Sequence, residues 1–521
     1  MSGHDISHWV ADNAVRLPRQ VAIRFEGREM TYPALEDRIA RLAGVLRHSL
    51  QIGIGDRVSF LGDNCPEIVE LLFACARVGA IFVPLNAHMT AEQHNVYLDN
   101  AQPRFLFVEG RYLDTARDCT VGRPSLRLVS FGPVAPGNDD IDRLAPLIEA
   151  ATPVASGTDL PFSTPLLMAY TSGTTGNPKG AVLSQESLYY SALNSIDMFE
   201  MTARDKVLTI VPMYHIGGIS IHTIPAMRVG ATVTIHRELD PALVLRDIER
   251  YRITLIVGRP PVARAISSHG DWDRTDLSSM RSYSSGTTRV PLEVMAPWFA
   301  RGVPVQQLYG MTEALPPVIA VSIADARRKA GSIGKPAAHV EARVVDHNMR
   351  DVPPGDRGEI ILRSKCVLTN YWRNEGATTD SFHDGWFRTG DVGHQDDDGY
   401  FYIDDRIKDI VIVGASNVYP ADGERILAEC DAIEEAAIVG KPHPNLGESL
   451  VACVVLKQGR SMDARELRAL FKGRLASYQH PHDILFMESI PRTPLGKIQK
   501  SALRQLVREL PGDTAGAALS L

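Results

Sequence analysis

The segment Leu167 to Gly180 reads LMAYTSGTTGNPKG. Thr171, Ser172, Thr174 and Thr175 offer hydroxyl donors, and Gly173, Gly176 and Gly180 let the backbone approach a ligand closely. Consecutive N–H groups in such a stretch form an anion-binding nest, and Lys179 adds a cation. Together these residues suit a polyphosphate. The spacing is not that of a GxxxxGK[ST] loop, because counting from Gly173 puts the second required glycine at Pro178. A loose run of glycine and hydroxyl residues also describes a plain surface loop. An apolar strand leading into glycines, hydroxyls and a lysine in this fixed order favours phosphate binding.

That order resembles the signature of the adenylate-forming enzymes, the superfamily of acyl-CoA synthetases, adenylation domains and luciferases. Further segments follow in the family's sequence: Tyr309-Gly-Met-Thr-Glu313, Trp386-Phe-Arg-Thr-Gly-Asp391, Asp405-Arg-Ile-Lys-Asp409 and Pro491-Arg-Thr-Pro-Leu-Gly-Lys497. Any one of these motifs is weak alone, but five in order, spanning about residues 20 to 508, are strong. The resemblance implies ATP-dependent joining of a carboxylate to AMP, then transfer of the acyl group to a thiol. It implies that Lys497 bridges the carboxylate and the α-phosphate, that Thr312 hydrogen-bonds that phosphate, and that Glu313 binds Mg2+, a hard cation that takes oxygen ligands. Tyr309 would stack on adenine, Gln307 would reach the base edge, and the backbone at Gly286 would cup the ring. Asp391 would accept from both ribose hydroxyls, and Arg406 would hold ribose or phosphate. Lys408 matches the hinge, and Gly414 and Ala415 match the loop that lines the pantetheine tunnel. Ala415 stands where the family has glycine, and Gly423 where it has an apolar residue, at a helix cost of ~1 kcal/mol.

The reaction brings two anions together, so repulsion must be offset and the geometry held in line. One ammonium at ~4 Å is worth roughly 4 kcal/mol at an effective dielectric of ~20, which gives Lys497 leverage of orders of magnitude in rate. His215, in Tyr214-His-Ile-Gly-Gly218, lies where the family places an aromatic–His pair beside the acyl pocket, either gating it or doing chemistry. No carboxylate is present there to pair an ammonium, and burying one unpaired is costly. The expected substrate is therefore a non-amino acid: medium- or long-chain, alicyclic or aryl. Gly217 and Gly218 are read as leaving room for the acyl group, with Ile216, Ile219 and Val318 as apolar walls. Arg259 could meet a second carboxylate, although such an arginine more often reaches the surface. No carrier domain follows Lys497, which favours free coenzyme A as acceptor. The alternatives are an acyl-AMP ligase that loads a carrier protein and a non-catalytic nucleotide or acyl sensor.

These residues must be positioned by regular elements. Leu35, Ile39, Leu42 and Leu46 share a helical face, Arg57–Leu61 reads as a strand, Pro66–Gly79 as a helix, and Ile81–Pro84 as the next strand. The same alternation returns near Val207–Val211 and Thr232–Ile235. It predicts an α/β fold: a large amino-terminal part with helix-covered sheets and a small mobile α+β domain. The expected division is 1–407 for the AMP- and acyl-binding part and 408–510 for the mobile domain, with 511–521 as a flexible tail. The charged, glycine-bearing stretch 396–409 marks the boundary. In 521 residues the net charge is only −7 and 44% are hydrophobic, which gives no electrostatic reason to expect a nucleic-acid surface and argues against disorder across the chain. No apolar run suits an integral membrane segment. The polar amino end and six dispersed cysteines point to a cytoplasmic protein with reduced thiols. The implied small-molecule partners are a carboxylic acid, ATP and CoA. Oligomeric state is left open, with a homodimer as the candidate.

Overall fold

The computed structural model describes residues 6–135, 138, 141–157, 160–171, 178–286, 290–414, 416–492 and 497–508. The helix Tyr32–Gly44 starts where Thr31 accepts the Ala34 N–H, with Pro33 in the first turn, and it buries Leu35, Ile39 and Leu42. Leu46 is also buried, in a π-helical turn at Val45–Ser49. The strand Arg57–Leu61, the helix Pro66–Val78 and the strand Ile81–Leu85 follow as the residue pattern predicts. Gly79 ends the helix at φ +79, a conformation that glycine adopts without strain.

The described residues fall into two compact units, within Met1–Ala342 plus Leu362–Phe387 and within Arg343–Ile361 plus Arg388–Leu521. The first unit is built on two sheets. Among the described residues one has nine strands, with Val305–Met311, Ser282–Ser285, Leu255–Val257, Lys206–Thr209, Thr232–Ile235 and Val21–Phe25 parallel in that order. An antiparallel partner, Ala314–Ala320, flanks Val305–Met311. Among the described residues the other sheet has eight strands, and its parallel core ends at Pro165–Thr171, which pairs antiparallel with Lys179–Ser184. The two-residue strand Asn370–Tyr371 closes that edge. Parallel strands covered on both faces explain the continuous apolar runs, such as residues 105–108, buried at every position.

In the second unit, Val411–Val413, Gly447–Leu456 and Ile433–His443 form an antiparallel sheet, and Asp483–Phe486 adds in parallel. The helix Pro420–Ala428 contributes Ile426 and Leu427 to one apolar cluster, and Lys500–Arg508 contributes Leu503 and Val507 to another. The small α+β arrangement agrees with expectation. Asp396 accepts from the Asp398 and Tyr400 N–H groups and so folds a tight turn between the strands Trp386–Gln395 and Phe401–Arg406. Residues 511–521 lie outside the described residues. All six cysteines are free, and among the described residues no helix is long and apolar enough to cross a membrane.

Candidate active site

Val305–Met311 turns directly into Ala314–Ala320 through Thr312 and Glu313, because Met311 pairs with Ala314. The Tyr309–Glu313 motif is therefore the tip of a β-hairpin. Gly310 permits that tip: a Cβ there would lie 2.5 Å from Pro316 Cβ. On the neighbouring strand Ser285 is in register with Gln307. Gly286 follows, where a Cβ would meet the Leu308 carbonyl oxygen at 2.7 Å. The Val290 N–H donates to Gln307 Oε1 at 3.2 Å, which fixes the amide's orientation. The structure thus gathers Gly286, Gln307, Tyr309, Thr312 and Glu313 at the ends of adjacent strands.

Thr171 and Lys179 are register partners at the two ends of the hydroxyl–glycine segment. Ser172, Gly173, Thr174, Thr175 and Gly176 lie outside the described residues. Lys179 and Glu313 are both drawn to a residue that the sequence reading missed. Tyr371, paired with Ala181, donates its hydroxyl to Glu313 Oε1 at 2.9 Å. The Lys179 ammonium lies 5.3 Å from the centre of the same ring. Burial, reinforced by the Glu313 charge, holds the Tyr371 phenol well above its ordinary range, so it remains a donor. No protein donor meets Glu313 Oε2 among the described residues. A single carboxylate with one oxygen available fits Mg2+, which takes one or two carboxylates and draws its other ligands from phosphates and water.

The Ile216–Ser220 helix packs on the Ala314–Ala320 strand, with Ile216, Ile219 and Val318 buried and the Ser220 hydroxyl donating to the Pro316 carbonyl at 3.0 Å. His215 caps this helix, its Nδ1 accepting from the Gly217 N–H at 3.2 Å. The reading of Gly218 as room for substrate is corrected. A Cβ there would sit 2.4 Å from the Pro212 carbonyl oxygen, so Gly218 lets the chain fold back on itself. At Gly217 a Cβ would make ordinary contact with Ile221 and His215, and the position is already buried. Arg259 precedes the helix Pro260–Ser267 and is half-buried. Its charge acts on the phenols of Tyr214 and Tyr283, both raised first by burial.

In the second unit Asp391 and Arg406 are register partners on adjacent strands. Arg406 Nε lies 2.7 Å from Asp391 Oδ1, and the carboxylate is only 3% exposed against 47% for the arginine side chain. Glu359 steadies the strand segment before Asp391: it accepts from the Gly390 N–H at 3.1 Å and from both Nε and an Nη of Arg388. Gly390 itself has φ +70. Lys408 is exposed within a short 3-10 turn, Ile407–Asp409. Arg504, on the Lys500–Arg508 helix, donates to the Lys408 carbonyl at 3.1 Å and pairs with Asp409. Upstream, Asp405 accepts from the Ala421 N–H at 3.0 Å. Arg357 forks onto Asp422 at 2.8 and 2.9 Å and lies 4.5 Å from the Tyr419 ring centre. Burial raises the Asp422 carboxyl, but bonds to Arg357 and Arg425 more than offset it and leave it below the ordinary range. Lys497 is exposed beside a bridge that pairs Arg492 with Ile498. Gly414 has φ +64, and Ala415 lies outside the described residues. Gly423 is explained by packing, since a Cβ would lie 2.5 Å from Ile438 Cδ1.

The family model "AMP-binding enzyme" matches residues 10–372, and "AMP-binding enzyme C-terminal domain" matches 423–497. The chain belongs to the AMP-binding, adenylate-forming enzymes, among the acyl-CoA ligases. This ligase is 42% identical to the indoleacetate–CoA ligase of Aromatoleum aromaticum, over 96% of this chain and 98% of that protein. It is 34% identical to a feruloyl-CoA synthase of Amycolatopsis, over 97% and 99%. Of solved structures, ATP-bound MatB from Rhodopseudomonas palustris superposes with a TM-score of 0.86 at 28% identity, over 96% of this chain and 99% of that one.

Proposed function

We propose that this ligase uses ATP to activate a non-amino carboxylic acid as acyl-AMP, releasing pyrophosphate, and then transfers the acyl group to coenzyme A. The observation that carries this reading is the meeting of Lys179 and Glu313 on Tyr371. It sets a cation and a carboxylate beside the ends of a polyphosphate-type loop. When bound, Mg2+ would neutralise phosphate charge at Glu313. Thr312 and Lys179 would hold phosphate oxygens, Gly286, Gln307 and Tyr309 the adenine, and Asp391 with Arg406 the ribose. Lys497 would stabilise charge as the acid's carboxylate displaces pyrophosphate at the α-phosphate. Turning at Lys408 would then withdraw Lys497 and bring the Gly414 loop to the same place for the thiol step. The proposed division remains 1–407 and 408–510.

For the acid we favour an aryl or arylalkyl carboxylate within the expected aryl, alicyclic and medium- to long-chain range. The relatives above are named for indoleacetate and ferulate. Tyr214 to Gly218 hold no carboxylate for an ammonium, and Ile216 and Val318 are apolar. The test is pyrophosphate release across a panel of carboxylic acids, with mass detection of the CoA thioester. Aryl acids should turn over best, and turnover confined to amino acids would refute the reading.

A further inference from the structure

Tyr371 lies 58 residues from Glu313 in the chain and in none of the segments that suggested chemistry. It is buried, and its position is fixed by three independent contacts. Its strand pairs with Lys179–Ser184, its N–H donates to the Thr378 hydroxyl at 2.9 Å, and its carbonyl accepts the Asn374 N–H at 3.2 Å. The backbone that carries the ring is therefore held in place, with the hydroxyl on one charged group and the face under another. A hydroxyl needed only for solubility would point to water. This one is spent on a carboxylate oxygen, with the Ser381 hydroxyl close by.

We infer that Tyr371 is a positioning residue for the nucleotide–metal site: its hydroxyl holds Glu313 Oε1 so that Oε2 faces the metal, while its ring sets the height of Lys179. This rests on the proposed role of Glu313 as the Mg2+ ligand. Carboxylates that bind metals are themselves oriented by hydrogen bonds, and removing such a partner typically costs ~10–100-fold in metal affinity or activity. The Phe variant keeps the ring for Lys179 and removes only the donor.

The experiment is calorimetric titration of Tyr371→Phe with a non-hydrolysable ATP analogue, with Mg2+ and in EDTA, alongside the Mg2+ dependence of pyrophosphate exchange. We expect the half-saturating Mg2+ concentration to rise about 10-fold, with metal-free nucleotide affinity unchanged. The unchanged metal-free affinity also shows that the variant is folded. A variant with wild-type Mg2+ dependence, or one whose metal-free affinity falls equally, overturns the inference. Glu313→Gln separates the two layers. If it leaves Mg2+ dependence untouched, the metal role of Glu313 is wrong and this inference falls with it. If it shifts that dependence and Tyr371→Phe does not, only the inference fails. In the double variant the Tyr371 change should add little to Glu313→Gln, and full additivity would show that Tyr371 does not act through the glutamate.

Discussion

Replacing Asp391 by asparagine tests the proposed nucleotide site through the residue whose surroundings are best defined. The carboxylate is 3% exposed, with Arg406 Nε 2.7 Å from Oδ1, and the Glu359 contacts to Gly390 and Arg388 hold its strand. Asparagine fits the same space and can still accept from Arg406, whose guanidinium is 47% exposed and remains solvated. Loss of fold stability should therefore stay near ~1 kcal/mol. Binding should suffer more. A hydrogen bond to a charged acceptor contributes about 1.5–3 kcal/mol and a neutral one about 0.5–1.5. Two ribose hydroxyls then lose roughly 2–3 kcal/mol together, on the order of 30- to 150-fold in affinity. The assay is acid-dependent ATP–pyrophosphate exchange with ATP and with 2′,3′-dideoxy-ATP. The wild type should discriminate strongly between them, and Asp391→Asn should weaken ATP while hardly affecting the dideoxy analogue. If both enzymes show the same ratio of KM values for the two nucleotides, Asp391 does not read the ribose.

Lys408→Pro should leave acyl-AMP formation within a few-fold of wild type and stop thioester formation, read by single-turnover assays of each half-reaction; equal loss of both would argue against a pivot. His94 and His222 are fully buried, and burial pushes them down to about 4 and about 3. The unfolded chain binds protons at these histidines before the native protein does, so stability is complete above pH ~6.5 and declines as pH falls. His94 alone should cost roughly 3 kcal/mol by pH 4, and His94→Leu should flatten the urea-measured profile over that window; an unchanged slope would contradict the assignment. Gly334 has φ +98, and a Cβ there would lie 1.9 Å from the Ala320 carbonyl carbon. Gly334→Ala should therefore destabilise by about 3 kcal/mol or more, seen as a lower urea midpoint, and a wild-type midpoint would refute the packing argument.

The alternating elements of the first unit were legible because parallel strands buried on both faces leave continuous apolar runs, and because Pro66 and Gly79 mark the ends of their helix. The motif residues were legible because glycine, hydroxyl and charge concentrate in short segments. Tyr371 was not. It sits on a two-residue strand, too short for any periodicity, and its partners come from distant parts of the chain. Gly218 was misread for a related reason: a missing side chain leaves space, but the sequence does not say that the Pro212 carbonyl returns to fill it. Likewise the charge in 396–409 suggested a boundary, but not that Asp396 uses its carboxylate to fold a tight turn there.

The Arg357–Asp422 fork and the Asp405–Ala421 bond join residues on opposite sides of Lys408 in the chain. If the proposed pivot at Lys408 operates, each catalytic cycle would break and remake these contacts, and they would act as a timer on how long the lobe rests before it swings. A timer built from an ion pair that is still partly wetted runs faster in salt. Turnover limited by that swing would quicken as ionic strength rises, opposite to the weakening expected for the binding of anionic nucleotides.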